Sequence, residues 1–492
     1  MIKKALKISI ADNVAVALEH IKCGEQVLDI QAMSDIPAGH KIALVSVAPG
    51  ENIIKYSNPI GHATAAIKVG EHVHSHNMKT NLGGIEEYTY TPERVEVSAA
   101  AKQATFMGYK RADGQVGIRN EIWIVNTVGC VNKTAEIIAK QAEALHNGKT
   151  DGIFTFVHPY GCSQLGDDHK FTQQILKGMV NHPNAAGILV LGLGCENNHI
   201  DEFKKVLGTW DNNRVKFLST QDVNDEITEA LKIIDELVVY AATHKREEIP
   251  VGELILGLKC GGSDGFSGIT ANVLVGSISD RLIAEGGTCL LTEVPEMFGA
   301  ETLLMNRAKD SGIFDKTVTL INDFKRYFMR HNQEIYENPS PGNKEGGITT
   351  LEEKSLGCTQ KGGNSQVTDV LDYGETVKIP GLNLLQGPGN DIVAVTNLMA
   401  AGAHIVLFTT GRGTPLGAPV PTVKISSNTP LSVTKKHWID FDAGQRLDGV
   451  PLNELTEEFF NYIVDLASGK TLAKNEVTGY REISIFKDGV TL

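Results

Sequence analysis

The chain has 492 residues, and at about 150 residues per domain this length predicts roughly three domains. Apolar residues make up 41% and charged residues 21%, which excludes the disordered and fibrous classes. The 46 lysines and arginines against 59 aspartates and glutamates give a net charge of −13, so neither nucleic acid nor an anionic membrane is expected as a partner. Any anionic substrate therefore needs a local basic pocket.

No run approaches the ~18 consecutive apolar residues of a membrane span, and the first residues lack the apolar core of a signal peptide. Seven cysteines, an odd number, do not predict a disulfide framework. We therefore expect a cytoplasmic protein. Its oligomeric state is left open between a monomer and a homo-oligomer.

Short β-like runs separated by turn signals fill residues 1–95, for example residues 41–47 and 53–56 with an Ala-Pro-Gly turn between them. This pattern predicts a small all-β module. The polar stretch 89–102 has little apolar periodicity. It predicts a linker, with a domain boundary near residue 100.

Two α/β domains are predicted beyond the linker, because apolar runs of strand length alternate with helical patterns. In the first, over residues 105–248, the predicted strands are 122–128, 152–157, 186–193 and 215–218, and the predicted helices are 133–146, 168–180 and 222–243. In the second, over residues 250–492, the predicted strands are 254–258, 288–291, 382–385 and 404–409, the predicted helices are 269–284 and 314–332, and a glycine-rich stretch spans 342–363. Such βαβ patterns predict mostly parallel, Rossmann-like sheets with both faces covered.

Cysteines beside glycines follow four of the predicted strands. They are Cys130, Cys162, Cys195 and Cys260. Because the loops at the carboxyl ends of parallel strands converge on the ligand crevice, these four cysteines are expected to share one edge. Two interpretations stay open: a thiolate-rich iron site, or small buried side chains without a chemical role.

A histidine run closes the β module, with His72, His74 and His76 at a spacing of two residues. If this segment is extended, all three imidazoles lie on one face, as a set of ligands for a divalent transition metal requires. The alternative is a polar strand face that contacts only solvent.

Three familiar sequence motifs bear on the function: the dinucleotide-binding fingerprint, the P-loop and the G-x-S-x-G motif. The glycine motif at residues 192–198 lacks the third glycine of a dinucleotide fingerprint, which argues against a nicotinamide cofactor, and a P-loop is absent. Residues 261–265 match G-x-S-x-G, with Ser263 as a nucleophile and His404 or His437 as its base in a serine hydrolase. The favoured interpretation of this loop is substrate or anion binding through its backbone amides.

Several blocks resemble the altronate and galactarate dehydratase family. The blocks are residues 108–120, 127–132, 158–169, 192–198, 260–272, 338–344 and 409–413. The N-terminal module, with residues 39–41 and 60–62, is similar to the SAF domain, a β-clip, that precedes these blocks. Residues 70–77 and 356–361 resemble the altronate branch, and the resemblance covers essentially the whole chain.

The resemblance implies a hydro-lyase that uses Fe²⁺ or Mn²⁺ to convert D-altronate into 2-dehydro-3-deoxy-D-gluconate and water. Such a reaction must remove the weakly acidic C2 proton beside a carboxylate and expel hydroxide from C3, which requires a metal, a base and an acid. The metal ligands are then either His74 and His76 or the set Cys130, Cys162 and Cys195.

The residues proposed for proton transfer and for binding the sugar acid come from the same blocks. The candidates for base and acid are His158, Lys259 and Glu293. The candidates for binding the substrate carboxylate and hydroxyls are Arg111, Arg119, Asn120, Asn132, Ser263, Asn390 and Arg412. Three alternatives remain: a related lyase for galactarate or a sulfonated hydroxyacid, a serine hydrolase, and a binding protein without catalysis.

Overall fold

The computed structural model describes residues 4–93 and 103–491. Most of the predicted linker, residues 94–102, and the predicted boundary near residue 100 lie outside the described residues. The start of the linker runs along the C-terminal domain, since the Tyr90 hydroxyl donates a hydrogen bond to the Ala308 carbonyl at 2.7 Å. No helix within the described part of the chain is long and apolar enough to cross a membrane.

The N-terminal module is all β, as predicted. Its strands are β1 Ala5–Leu6, β2 Val14–Ala17, β3 Gln26–Val27, β4 Ile30–Gln31, β5 Lys41–Ala43, β6 Asn52–Lys55, β7 Asn58–Ala63, β8 His72–Val73 and β9 Met78–Lys79. They pair antiparallel in the orders β1-β2-β5-β8, β6-β7-β9 and β3-β4. One side of the module completes its apolar cluster with Ala300 and Leu356 of the C-terminal domain.

The second domain contains a four-stranded parallel sheet in the order β13-β12-β14-β15. Its strands and helices are β12 Glu121–Asn126, α1 Asn132–His146, β13 Ile153–Thr155, α2 Gly166–Asn181, β14 Ala185–Gly192, α3 Ile200–Leu207, β15 Val215–Ser219 and α4 Glu226–Ala241. Every residue of β12 and β14 is buried, because helices cover both faces of the sheet. An antiparallel sheet that the sequence did not predict flanks it, formed by β10 Thr105–Lys110, β11 Val116–Gly117 and β16 Glu247–Pro250.

The C-terminal domain contains a seven-stranded parallel sheet in the order β19-β20-β18-β17-β21-β22-β23. Its strands are β17 Ile255–Cys260, β18 Thr288–Leu291, β19 Val367–Leu371, β20 Gly381–Leu385, β21 Ile405–Thr410, β22 Thr422–Ser426 and β23 Phe441–Asp442. Its helices are α5 Ala271–Ala284, α6 Glu301–Met305, α7 Ser311–Arg330, α8 Pro341–Glu345, α9 Leu351–Cys358, α10 Asp391–Ala400, α11 Thr429–Thr434, α12 Leu452–Ala467 and α13 Lys474–Thr478. The predicted fold class, an all-β module followed by α/β domains with parallel sheets, is confirmed.

The glycine-rich stretch 342–363 is not a continuous loop. It contains the end of α8 and all of α9, which begin at side-chain caps: the Ser340 and Thr350 hydroxyls accept hydrogen bonds from the amides of Asn343 and Glu353. These caps satisfy free amides at the start of each helix, so short helices form despite the glycines.

Two buried histidines lie where the second and C-terminal domains meet. His182 Nε2 contacts the Ala403 carbonyl at 3.1 Å, and its Nδ1 accepts a hydrogen bond from the Asn184 amide. His404 Nδ1 accepts from the Ile255 amide at 3.0 Å. Burial lowers the pKa of His182 to about 3 and that of His404 to about 4. Both rings are therefore neutral, and protonation would place an N–H against a backbone N–H.

We expect this pair to make the folded state sensitive to mild acid. The folded pKa values lie below the unfolded value of 6.5, so the stabilisation is complete above pH 6.5 and is lost as the pH falls towards 4. At pH 5 the loss is roughly 2 kcal/mol for each histidine. Thermal unfolding from pH 7 to pH 5 should show a steeper decrease for the wild type than for the variant carrying His182→Gln and His404→Gln. Parallel curves would contradict this assignment.

Candidate active site

The N-terminal module docks on the carboxyl edge of the seven-stranded sheet through contacts between backbones. Gly39, at a φ of 83°, faces Gly265 in the loop after β17 and Gly347 after α8. A Cβ atom at Gly265 or Gly347 would lie 2.0 or 2.2 Å from the Gly39 carbonyl oxygen. Only glycine allows this approach. The histidines of the module are thereby brought to the end of the sheet where ligands bind in parallel α/β folds.

A buried ionic cluster fixes the same interface. Lys41 and Lys55 of the module donate to the two oxygens of Glu353 in α9, each at 2.8 Å. Lys41 also donates to Thr349 Oγ1 at 2.8 Å and to the Gly347 carbonyl. Burial alone would raise the pKa of Glu353, but the two ammonium groups lower it to about 2. Burial lowers the pKa of Lys41 to about 8. Glu353 is the shared counter-charge of these two buried lysines.

Four imidazoles cluster at this interface. The ring centroids of His72 lie 5.1, 5.7 and 5.3 Å from those of His40, His74 and His76. The expectation that residues 72–76 are extended is wrong, because β8 ends at Val73 and a turn follows. The rings converge because the Asn77 side chain and backbone close that turn on His74 at 3.0 Å. His40 belongs to the cluster although it lies 32 residues before His72 and outside the histidine run that the sequence displays.

Two of the imidazoles, His72 and His74, are held neutral, and His74 is oriented by a hydrogen bond. Burial, together with the neighbouring histidines and Lys41, lowers the pKa of His72 to about 3 and that of His74 to about 4. His74 Nδ1 is hydrogen-bonded to Thr349 Oγ1 at 2.8 Å, which leaves its Nε2 for a ligand. Neutral imidazole is the form that binds metals, and an outer hydrogen bond of this kind fixes ring orientation. The cluster therefore has the chemistry of a metal site.

Cationic and hydroxyl groups border the histidines. Arg412 is exposed, and its Nη1 contacts the Glu345 carboxylate at 2.9 Å, while the Glu345 carbonyl contacts His40 Nε2 at 3.1 Å. Ser263 Oγ is buried without a hydrogen-bond partner among the described residues. Its neighbour Asp264 is fixed by hydroxyl groups that include Ser427. Helix α8 connects these groups, because Glu345 contacts both His40 and Arg412 and Asn343 donates to the Ser263 carbonyl. We call the region around α8 that carries the four histidines, Ser263 and Arg412 the crevice, and its cation and hydroxyls are groups that complement a small anion with hydroxyls.

A second charged cluster lies behind the crevice. Lys259, at the end of β17, forms ion pairs with Glu293 and, at 2.9 Å, with Asp391. Burial raises the pKa of Glu293, and its Oε2 accepts from the Cys260 amide at 3.0 Å. The side chain of Asn343 donates to the Ser263 carbonyl at 2.8 Å, which ties this region to the crevice wall. Two proton-transfer candidates, Lys259 and Glu293, are therefore adjacent to each other.

The third proton-transfer candidate, His158, lies in the second domain. Its Nε2 contacts the Asn126 carbonyl at 2.9 Å and its Nδ1 accepts from the Tyr160 amide at 3.2 Å. Burial lowers its pKa. Asn132 donates to the His158 carbonyl in the same place. Both ring nitrogens are used by the backbone, an arrangement typical of a structural histidine.

The cysteines do not all share one edge, which corrects the expectation. Cys130, Cys162 and Cys195 are exposed in loops of the second domain, whereas Cys260 is buried at the end of β17 in the other sheet. Each sheet has its own carboxyl edge, and the sequence could not distinguish one extended sheet from two. Cys260 therefore cannot share a metal with the other three, and the candidate thiolate ligands are the three exposed cysteines.

Arg111, Arg119 and Asn120 do not reach the crevice. Arg119 is buried in a bidentate ion pair with Glu476, at 2.7 and 3.0 Å, and Arg111 donates to Asn120 Oδ1 at 2.8 Å. These residues precede β12 and so lie at the amino edge of a parallel sheet, opposite the ligand-binding edge. Asn390 caps α10, its side chain accepting from the Val393 amide beside Asp391.

A serine hydrolase is not supported by the geometry. Within the described part of the chain Ser263 Oγ has no hydrogen-bond partner, and His404 Nδ1 accepts from the Ile255 amide at the domain interface. The ring of His437 lies against Trp438, with centroids 5.3 Å apart. Without a hydrogen-bonded histidine the hydroxyl is not an activated nucleophile.

Comparison with known proteins covers nearly the whole chain. Three family models match consecutive segments: "Altronate/galactarate dehydratase SAF domain" at residues 3–81, "D-galactarate dehydratase/Altronate hydrolase, second domain" at 108–242, and "D-galactarate/Altronate dehydratase, C-terminal" at 251–491.

Among individual proteins, the chain is 54% identical to an altronate dehydratase of Escherichia coli K12 over 99% of each chain. It is 53% identical to an altronate dehydratase of Bacillus subtilis 168 over 100% of each chain. It is 31% identical to a galactarate dehydratase (L-threo-forming) of E. coli K12, over 98% of this chain and 96% of the relative. The chain belongs to the altronate/galactarate dehydratase family.

Proposed function

We propose that the protein is a hydro-lyase that eliminates water from D-altronate to give 2-dehydro-3-deoxy-D-gluconate. The observation that carries the proposal is identity of 54% and 53% along the full length of two altronate dehydratases, against 31% for the galactarate enzyme. The crevice supports it, because it combines a cation and hydroxyl donors with clustered imidazoles in an otherwise acidic protein. A small sugar acid has the charge and the hydroxyls that these groups complement.

We assign the Fe²⁺ or Mn²⁺ that the proposal includes to the histidines, whose rings must turn to bind it, because among the described residues no three of their ligand nitrogens lie within 4.8 Å of one another. His74 and His76 are the proposed ligands, supported by their neighbours His40 and His72, and the Thr349 hydroxyl orients the His74 ring. The alternative set, Cys130, Cys162 and Cys195, lies in the second domain, away from the charged crevice. When bound, such an ion supplies positive charge next to the substrate carboxylate, which makes the C2 proton more acidic.

The chain's own residues supply the remaining chemistry. Arg412 is proposed to bind the carboxylate, since its guanidinium is exposed at the crevice and can exchange Glu345 for substrate. The Ser263 hydroxyl, which has no hydrogen-bond partner within the described ranges 4–93 and 103–491, is proposed to bond a sugar hydroxyl once the substrate displaces the groups that bury it. Proton transfer is assigned to Lys259 and Glu293, because they form a buried ion pair at the end of β17 and burial raises the pKa of Glu293 above its ordinary value.

Turnover of defined sugar acids tests this function. The purified chain, supplied with Fe²⁺ or Mn²⁺, should form a 2-keto-3-deoxy acid from D-altronate, detected as its semicarbazone. The kcat/KM should exceed that for galactarate and for sulfolactate by about 100-fold, because a site built for one set of hydroxyls leaves groups unpaired with another. A chelator should abolish turnover until either metal is restored. Equal or faster turnover of galactarate or sulfolactate would overturn the assignment.

A further inference from the structure

Two thiols and a carboxylate meet beneath the crevice, outside the groups used above. Cys260 Sγ lies 2.8 Å from Glu296 Oε2 and 3.5 Å from Cys358 Sγ. Among the described residues, these three form the one group of His, Cys, Asp and Glu side chains whose ligand atoms all lie within 4.8 Å of one another. They come from the end of β17, the turn after β18 and the end of α9, so the fold itself brings them together.

The burial and the surroundings of this group are those of a closed ion site. Cys260, Glu296 and Cys358 are 1%, 4% and 3% exposed. The second oxygen of Glu296 is held by Lys354 at 2.8 Å, an outer contact that fixes the carboxylate with its free oxygen towards the sulfurs. The pairing with Lys354 compensates the burial of the Glu296 carboxylate, so the group stays charged in a position where its other oxygen faces the two thiols.

The local charge balance also accommodates a divalent ion. Three buried lysines, Lys259, Lys354 and Lys361, accompany three carboxylates, Glu293, Glu296 and Asp391. Each thiol that loses its proton adds one negative charge to this set. Exchanging the two thiol protons for one divalent cation leaves the sum unchanged, so the ion enters without creating an unpaired buried charge.

We propose that Cys260, Glu296 and Cys358 bind one divalent ion of borderline softness, Zn²⁺ or Fe²⁺, at a site separate from the histidine cluster. Two thiolates and a carboxylate are ligands that such ions prefer over Mg²⁺ or Ca²⁺, and they leave a fourth tetrahedral position for water. The ion would link β17, the β18 turn and α9 behind the active-site wall. This proposal does not depend on which sugar acid is the substrate.

Cobalt substitution of the full chain tests the site. Protein freed of metal under reducing, anaerobic conditions is titrated with Co²⁺, and the wild type should show thiolate-to-cobalt charge-transfer absorption. Cys358→Ala should raise the Kd for the ion that gives this absorption by at least ~100-fold. Loss of an outer-shell partner costs up to about 100-fold in metal affinity, and loss of a direct ligand should cost at least as much. Cys289→Ala is the matched control, since Cys289 is equally buried and belongs to no such group. It should leave the absorption unchanged.

Further variants separate this site from the others. The variant carrying His74→Ala and His76→Ala, and the triple variant of Cys130, Cys162 and Cys195 to alanine, should both retain the absorption. Its absence from the wild type, or its loss in either of these variants, would overturn the proposal. Fewer than seven free thiols in the denatured, metal-free chain would also overturn it, because a Cys260–Cys358 disulfide would then explain the proximity. If Cys358→Ala does not fold, Cys358→Ser and Glu296→Gln replace it.

Discussion

Changing both His74 and His76 to alanine is expected to remove the catalytic Fe²⁺ or Mn²⁺ and to lower kcat/KM for D-altronate by about 10³-fold or more. The two rings belong to the histidine cluster, whose member His40 contacts the Glu345 carbonyl, while Arg412 contacts the Glu345 carboxylate. His74 is fixed by Thr349 at 2.8 Å, so its loss removes a ligand whose orientation the fold has already set. Metal analysis of the purified variant and steady-state kinetics measure the two effects.

The matched control is His20→Ala, because His20 lies in the same module, its side chain is 53% exposed, and its Nε2 lies 4.0 Å from Asp35. It should retain both metal and turnover. Full occupancy by the catalytic ion in the double histidine variant would instead favour Cys130, Cys162 and Cys195. Cys130→Ala would then remove the ion, and the iron-loaded wild type would show a thiolate-to-iron absorption that survives Cys358→Ala.

The parallel sheets were predictable because their central strands are buried on both faces and so read as continuous apolar runs. β14, all eight residues of which are buried, was predicted within one residue at each end. α10 was not predicted, because eight of its ten residues are buried and a helix without a polar face shows no helical periodicity in its apolar residues. α9 was missed because its buried face carries Glu353 and Lys354, which resemble a solvent-exposed surface in sequence.

The site could be predicted only where its residues are close in sequence. His72, His74 and His76 form a local signal, although a turn rather than a strand gathers them. His40 joins them through the pairing of β5 with β8, which no local pattern records. Cys260 and Cys358 are 98 residues apart.

The presence of an arginine in the sequence did not predict which arginines can bind an anion. A guanidinium that binds an anion and one that cross-links backbone carbonyls are the same residue in sequence. Arg119 bonds two carbonyls as well as Glu476, and only the fold shows that its donors are already used. Arg412, in contrast, lies at the edge where the module docks, because it follows strand β21 of that sheet.

The contact that positions the module is itself a target for the last prediction. Glu353→Ala is expected to destabilise the protein by about 3–5 kcal/mol, because it leaves Lys41 and Lys55 buried without their counter-charge. The apolar contacts of Ala300 and Leu356 with the module are unchanged by this substitution, so the loss reports the ionic cluster itself. Urea-induced unfolding followed by circular dichroism measures it, and hydrogen exchange at β5 and β6 shows whether the docked face opens first.

Replacing all three charged residues together separates the effect of the buried charges on stability from the effect of side-chain packing. The triple variant Lys41→Met, Lys55→Met and Glu353→Leu should recover most of the stability that Glu353→Ala loses, because apolar groups of similar volume carry no desolvation cost. Its activity should nevertheless stay below that of the wild type, since Lys41 also holds Thr349, the residue that orients His74. A loss below about 1 kcal/mol for Glu353→Ala would place this cluster among solvent-screened ion pairs and would contradict its role in docking the histidines.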